Sequence, residues 1–362
     1  MNRVDLVVVD DEFSVVYTIR AILEKTYPDM ATFTNPAEAA EMIATRGCRA
    51  LVTDLRMPGI DGLEMLRRTL EHDPDIQVIM LTAHGSEKVA VEAMKKGAFH
   101  YLTKPFDPEE LRLVVQKALE QYDLRKKIQY DLEMARTLQI NLMPTHTIRH
   151  HDLEIAGRYL PGGNVGGDYY DTVVLPDDSL GLIIADATGH GISAAMMMAM
   201  LKMAFLNTAP GCRKPSEFLG AINEQFYNIL KSHSSFTVFY AIFRPNPWRM
   251  VFANAGHPFP LLYRPDEGRF LTSDTAGLGI GFFPNVTYED EEIPLRENDR
   301  ILFYTDGLSD LSTEQFFFEK FRDRYRELTQ VTDSEMLVEL FKLIVDNEGE
   351  REDDITLLLV RH

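Results

Sequence analysis

The sequence predicts three successive pieces: an α/β domain on a doubly wound parallel sheet, a long helix, and an α+β domain of antiparallel strands. Up to about residue 107, short apolar runs alternate with amphipathic helical patterns, as βα units feeding a parallel sheet do. Residues 108–144, PEELRLVVQKALEQYDLRKKIQYDLEMARTLQINLMP, hold no Gly or Pro between the two end prolines. Beyond them, strand-like runs come consecutively and helices are grouped apart, which indicates antiparallel α+β layering. A chain of 362 residues is long enough for two domains, each with its own core.

In the first piece, the runs at 6–9, 50–53, 77–81 and 100–102 are short and hydrophobic, as strands buried on both faces should be. Helical patterns fall at 15–24, 36–45, 63–71 and 87–96. A doubly wound sheet opens its functional crevice at the carboxyl ends of its strands. Asp10 and Asp11 follow the first run, Asp54 and Thr82 end two others, and Lys104 follows the last. One strand-end Asp is most simply a helix cap; five polar residues on one edge are not. Three carboxylates and a lysine suit a hard cation such as Mg2+ beside a nucleophile. A carboxylate can itself take a phosphoryl group while metal and lysine neutralise the oxygens.

The helix opens on Pro108, Glu109 and Glu110, where a missing N–H costs nothing and acid meets the helix dipole. Leu111, Val115, Ala118 and Tyr122 form one helical stripe; Ile128, Leu132, Ala135, Gln139 and Leu142 form a second, out of phase with it. At 1.5 Å per residue the span reaches about 50 Å, more than packing on one small domain requires. Arg125, Lys126 and Lys127 cluster at the slip, and like charge on a symmetric seam is a poor contact. These features predict a homodimer through 108–144, a possible coiled coil whose packing could relay a signal.

In the last piece, strands are expected at 153–159, 169–175, 180–185, 236–243, 249–253, 259–263, 288–293, 300–304 and 355–360. Helices are expected at 190–207, 215–231, 315–327 and 334–346. The methionine-rich 192–206 reads as core packing. Four acidic spots adjoin strand ends or turns: Asp168 and Asp171, Asp186, Asp306 and Asp310, Asp353 and Asp354. Singly each Asp-Gly is a turn. Together, with glycines that free nearby carbonyls, they make an oxygen-only set that selects Mg2+ or Mn2+, and no Cys/His spacing suits zinc. Two such ions can bridge a water, lower its pKa and aim it at phosphorus.

The segments VVVDDE, TDLRMPGIDG, LTAHG and YLTKPF resemble the receiver domain of two-component response regulators, over residues 1–122. The resemblance implies a five-stranded parallel sheet with Asp54 as phosphoacceptor. It places Mg2+ on Asp11, Asp54 and the Arg56 carbonyl with Asp10 assisting, and implies a cis Lys104–Pro105 bond. Thr82 would bond the phosphoryl group, Tyr101 would be the switching aromatic and Lys104 the phosphoryl partner. The segments GGDYYD, IIADATGHG, FYTDGLSD and REDDIT, in residues 145–362, resemble the SpoIIE-type branch of the PPM metal-dependent serine/threonine phosphatases, and ARTLQINLMP resembles its lead-in helix. That implies two antiparallel sheets flanked by helices and two Mg2+ or Mn2+ ions. Asp186 would bridge both ions and the Ala187 carbonyl would hold one. Asp306 and Asp353 would complete the second side, with Asp168 acting directly or through water and Asp354 as the ambiguous neighbour. His190 is the nearest leaving-group acid, against a helix-cap role; His257 reads as structural.

These resemblances imply a response regulator whose output is a phosphoserine/phosphothreonine phosphatase. A histidine kinase would phosphorylate Asp54, and a phosphorylated STAS-domain anti-sigma-factor antagonist would be the substrate. The rival reading is a phosphatase-like binding module that has lost its chemistry. With 37 basic against 56 acidic residues, a charge of −19 argues against nucleic acid or an anionic membrane as partner. Cys48 and Cys212 lie far apart and imply no disulfide frame, which suits a reducing cytoplasm. The N-terminus carries too short an apolar run for a signal peptide, and 192–201 is too short to span a bilayer. Neither a P-loop nor a basic recognition helix supports a nucleotide or DNA-binding output.

Overall fold

The computed structural model describes residues 3–362 apart from 84–86, 145–146, 190, 231–233, 272, 274–276, 311–314, 329–332 and 346–352. Two compact units result, Met1–Asp131 and Leu132–His362. The first contains β1 (Val4–Val9), α1 (Phe13–Leu23), β2 (Met30–Phe33), α2 (Pro36–Arg46), β3 (Cys48–Asp54), α3 (Gly62–His72), β4 (Gln77–Ala83), α4 (Glu87–Lys95), β5 (His100–Lys104) and the start of α5 (Pro108–Leu142). Its sheet is parallel throughout, in the order β2-β1-β3-β4-β5.

Alternation along β1 sends Val7 and Val9 into one core layer and Leu6 and Val8 into the other, so helices cover both faces. Capping fixes the helix starts. Asn35 accepts from Ala37 N with Pro36 at the first turn, and Asp61 accepts from Glu64 N. Gly62 is required for space: a Cβ there would stand 2.3 Å from the Asp54 carbonyl oxygen. Strand β2 has no counterpart among the apolar runs of the sequence, because its four residues are all only half-buried.

The first of the two stripes of α5 is accounted for by packing within the first unit. Leu111, Val115, Ala118 and Tyr122 are buried in the first unit's core. Past the division between units, Gln139 is buried, and Met143, just beyond the helix, joins the second unit's core. The first stripe therefore faces the first unit's core, whereas the second is mixed: Gln139 is buried, Leu132, Ala135 and Leu142 are half-buried, and Ile128 is exposed. Of the basic cluster at residues 125–127, Lys126 is committed within the first unit. Lys126 pairs with Asp75 at 2.8 Å and Asp73 at 3.2 Å, and Gln129 donates to Asp75 at 2.8 Å.

The second unit continues with β6 (Ile148–His150), β7 (Leu153–Leu160), β8 (Asp168–Val174), β9 (Leu180–Ala187), α6 (Ile192–Thr208), α7 (Pro215–Leu230), β10 (Phe236–Arg244), β11 (Arg249–Ala255), β12 (Leu261–Arg264), β13 (Arg269–Leu271), β14 (Glu291–Pro294), β15 (Arg300–Tyr304), α8 (Asp306–Asp310), α9 (Gln315–Glu327), α10 (Asp333–Val345) and β16 (Ile355–Arg361). Two antiparallel sheets form, in the orders β14-β11-β10-β9-β8 and β13-β12-β15-β16-β7-β6. They pack face to face, with the Phe239 and Phe303 rings 5.5 Å apart across the interface. Helices α6 and α7 cover the outer face of the first sheet, where Phe205, Phe218 and Tyr240 meet. The outer face of the second sheet is covered by α9 and α10, through Phe321, Tyr325, Leu337 and Leu340.

By length and composition, residues 192–211 could cross a membrane, a longer apolar stretch than the sequence reading allowed. One face of that helix is committed: Ala194, Met197, Met198, Leu201 and Phe205 belong to the core. The other leaves Ile192, Met196 and Met203 exposed, so core packing accounts for only some of its methionines.

Candidate active site

The first unit gathers its polar residues at the carboxyl edge of the sheet because the register aligns the strand ends. Val9 pairs with Thr53, Asp54 with Leu81, and Thr82 with Thr103. Asp10 is fully buried, and Asp54 and Thr82 nearly so; Asp11 is exposed. Lys104 Nζ lies 2.6 Å from Asp10 Oδ2 and 2.5 Å from Asp54 Oδ1, bridging the two carboxylates. The other Asp54 oxygen accepts the Arg56 N–H at 2.7 Å, and Glu12 N donates to Asp10 Oδ1 at 3.0 Å. Burial raises the Asp10 pKa despite its hydrogen bond to Lys104. Burial works against the lysine's charge, yet its hydrogen bonds to Asp10 and Asp54 hold its pKa above the usual value. Thr82 Oγ1 reaches the Leu102 carbonyl at 3.4 Å, Tyr101 is 41% exposed, and the Lys104–Pro105 bond is cis.

In the second unit, sheet register brings distant acids together. Asp168 on β8 is the direct partner of Asp186 on β9, so both side chains stand on one face. Asp168 is 1% exposed. Its Oδ2 accepts from Thr305 Oγ1 at 2.8 Å and Thr356 Oγ1 at 2.6 Å, which ties the edge of one sheet to two strands of the other. Thr356 N also donates to Thr305 Oγ1 at 2.9 Å. These threonines adjoin Asp306 and the Asp353–Asp354 pair, and so draw both acidic segments to Asp168. The remaining oxygen, Asp168 Oδ1, is buried without a hydrogen-bond partner. Asp186 is pushed up to about 10, first by burial, then by Asp168 and by Asp306, to which it is hydrogen-bonded. Asp168 is raised well above the carboxylate range by burial and then by the charge of Asp354. Among the described residues no lysine or arginine pairs with Asp168, Asp186 or Asp353. The donor set is all oxygen, crowded and uncompensated, and it fits a hard divalent cation.

The two neighbouring acids at 353 and 354 have different surroundings. Asp354 Oδ1 accepts from Gly162 N at 2.8 Å, and its Oδ2 from Gly167 N at 2.5 Å and Asp168 N at 3.3 Å. It is spent on the backbone of the GGD loop. Asp353 stays half-buried, accepts only the Asp354 N–H at 2.8 Å among the hydrogen bonds of the described residues, and acts electrostatically on both Asp168 and Asp186. Glycine spacing permits the approach. A Cβ on Gly166 would lie 1.7 Å from Asp354 Oδ2, and one on Gly167 would stand 3.0 Å from the Ala187 carbonyl oxygen. Asp171 points elsewhere, pairing with Lys202 at 2.5 Å and Tyr169 OH at 2.9 Å. His257 is buried, contacts Thr237 Oγ1 at 2.8 Å, and is pushed down to about 3 by burial, so it is a neutral brace. His190 lies outside the described residues.

Sequence reasoning missed Thr305, Thr356 and Gln139 as parts of this site. Gln139, 3% exposed, grips the GGD loop twice: its Nε2 donates to Gly166 O at 2.5 Å and its Oε1 accepts from Gly166 N at 3.0 Å. A polar residue at a stripe position of an otherwise apolar helical train was the available signal.

This fold and these two sites define a class: a receiver domain joined to a PPM-type serine/threonine phosphatase domain. The family model described as response regulator receiver domain matches residues 6–116, and that described as stage II sporulation protein E (SpoIIE) matches residues 176–362. The chain belongs to the SpoIIE family. It is 25% identical over 304 residues to the phosphoserine phosphatase RsbU of Bacillus subtilis, covering 82% of this chain and 89% of that one. The transcriptional regulator NtrC of Escherichia coli is 36% identical over 141 residues, which is 39% of this chain but only 29% of NtrC. The SiaA-PP2C domain of Pseudomonas aeruginosa shares the fold, with a TM-score of 0.57 at 24% identity, over 66% of this chain and 98% of that one.

Proposed function

We propose that phosphorylation of Asp54 controls hydrolysis of phosphoserine or phosphothreonine in a protein substrate at the Asp168–Asp186–Asp306–Asp353 cluster. The observation that carries this reading is the orphaned Asp168 Oδ1, buried beside Asp186 with no lysine or arginine among the described residues paired to either acid. Mg2+ or Mn2+ held by those four carboxylates and the Ala187 carbonyl would activate water and neutralise phosphate oxygens. Thr305 and Thr356 fix the orientation of Asp168, Asp354 and Gln139 hold the loop that carries it, and Asp186 stands opposite to receive the same cations. Asp353 rather than Asp354 is the ligand, because Asp354 is occupied by backbone N–H groups.

In the receiver, Mg2+ would sit on Asp10, Asp11, Asp54 and the Arg56 carbonyl, while Lys104 and Thr82 face the phosphoryl group on Asp54. A histidine kinase supplies that group. The substrate is a phosphorylated STAS-domain anti-sigma-factor antagonist, in a cytoplasmic setting. The exposed Leu124, Ile128, Tyr130, Met134 and Leu138 of α5 offer a surface for a second copy, and a dimer would carry the control.

The test is a Mn2+-dependent assay on candidate phospho-STAS proteins, with and without acetyl phosphate, in native and Asp54→Asn chains. Release of phosphate that responds to acetyl phosphate only in the native chain is expected, since an amide is a poor nucleophile. A chain that binds the phospho-STAS protein but never turns it over would be the sequestering module instead.

A further inference from the structure

Away from both acid clusters, a third group of side chains has the composition of a transition-metal site. His150 ends β6, the outermost strand of its sheet, and His151 begins the tight turn to β7. Neighbouring residues of a regular strand point to opposite faces. His151 instead adopts φ 51°, a left-handed conformation costly for a residue with a Cβ, and this turns its ring to the same side as that of His150. The two ring centroids are 4.5 Å apart at 70°. Asp178 faces them from the β8–β9 turn, at the outer edge of the other sheet, and it too is left-handed, with φ 61°. His151 Nε2 lies 2.8 Å from Asp178 Oδ2. His150 Nε2 lies 2.9 Å from the Asp178 carbonyl oxygen and 3.8 Å from its Oδ1. One ligand atom from each of the three residues falls within 4.8 Å of the others.

We propose that His150, His151 and Asp178 bind one divalent transition cation of the zinc class. Two imidazoles and one carboxylate form a borderline-soft set that favours Zn2+, Co2+ or Cu2+ over Mg2+, the opposite preference from the all-oxygen cluster. The site joins the outer edges of the two sheets, and β6 is the first strand of the second unit, so the cation acts as a staple on that corner. Both left-handed turns aim the three side chains at one another, so that a cation would replace the contacts His150 and His151 now make to Asp178.

The chain's single tryptophan supplies a local reporter. Trp248 lies 6.3 Å from the His151 ring and donates to Asp152 Oδ2 at 3.4 Å. Co2+ is titrated into the tag-free full-length protein in excess Mg2+ while Trp248 emission is followed. The expected result is saturable quenching at one equivalent, reversed by Zn2+ and not by more Mg2+, and absent from His151→Gln and Asp178→Asn. Histidine carbethoxylation read by mass spectrometry on the native chain requires no variant: Zn2+ should protect His150 and His151 while leaving the exposed His72 reactive. Quenching that is unsaturable, that Mg2+ reverses as well as Zn2+ does, or that survives both substitutions overturns the proposal. Equal carbethoxylation of His150 and His151 with and without Zn2+ overturns it too.

Discussion

The two acid clusters differ in how their charge is balanced. In the first unit, Lys104 lies within 2.6 Å of both Asp10 and Asp54, so the resting edge carries its own counter-charge. In the second, Asp168 and Asp186 crowd beside Asp306 and Asp353, no lysine or arginine among the described residues pairs with Asp168, Asp186 or Asp353, and burial together with neighbouring acids raises the pKa values of Asp168 and Asp186. A site balanced from within can wait folded and quiet until a phosphoryl group changes the balance. A site balanced only from outside depends on cations it must bind, and such cations can supply its chemistry as well. Substitutions that remove charge should therefore act in opposite directions on the two units.

The largest effect is expected at Asp186. With Asp186 as the proposed shared ligand, Asp186→Ala should cost about 4 kcal/mol of transition-state stabilisation, or roughly a thousandfold in turnover. Circular dichroism should remain native. Near-native turnover at saturating Mn2+ would place the metal elsewhere and erase the contrast between the units.

Next comes Lys104→Ala, which leaves two buried carboxylates without their partner. Breaking a buried pair from one side costs about 3–5 kcal/mol, and somewhat less at a lysine whose side chain is 18% exposed. Thermal unfolding of the first unit should shift down by several degrees and recover in part with Mg2+. An unchanged melting temperature would show that the Lys104 bridge contributes nothing at rest.

Gln139→Ala tests a positioning role. Among the hydrogen bonds of the described residues Gln139 makes none to an acid of the cluster; it holds the Gly166 backbone, two residues before Asp168. Loss of such an outer partner weakens metal binding by about 10- to 100-fold. The Mn2+ concentration for half-maximal activity should rise while substrate KM stays constant. A change in KM alone would make the residue a docking element rather than a support for Asp168.

Much of this contrast was legible before the structure. The apolar runs located most strands of the three sheets because buried strands are mostly apolar, and the acids stood out by falling at their ends. The short edge strands β2, β6 and β13 escaped notice, since three or four residues that are mostly half-exposed leave no apolar run. Asp353 and Asp354 were inseparable in sequence because they are chemically identical and differ only in direction: one turns into a cradle of backbone N–H groups, the other does not. Thr305 and Thr356 read as ordinary β-formers. Their hydroxyls acquire a role only when two strands from one sheet arrive beside an acid from the other, which is information held by tertiary contact alone.

The smallest expected effect is also the most discriminating. Asp186→Asn keeps the shape of the side chain and removes one acid from a crowded, buried set. In the metal-free protein, Asp186 is held well above its ordinary pKa by burial and by its neighbours, so the carboxyl destabilises the fold that contains it. Replacing it with an amide should relieve about 1 kcal/mol, an upward shift of about 2–4 °C for a unit of this size. With Mn2+ present the order should reverse: the native chain should gain stability by binding ions, and the variant, without the proposed shared ligand, should not. The measurement is a pair of thermal melts, in chelator and in Mn2+, on native and variant protein. If Asp186→Asn lowers the metal-free melting temperature, the carboxylate is doing structural service at rest, as Asp54 does with Lys104, and the two sites are alike after all.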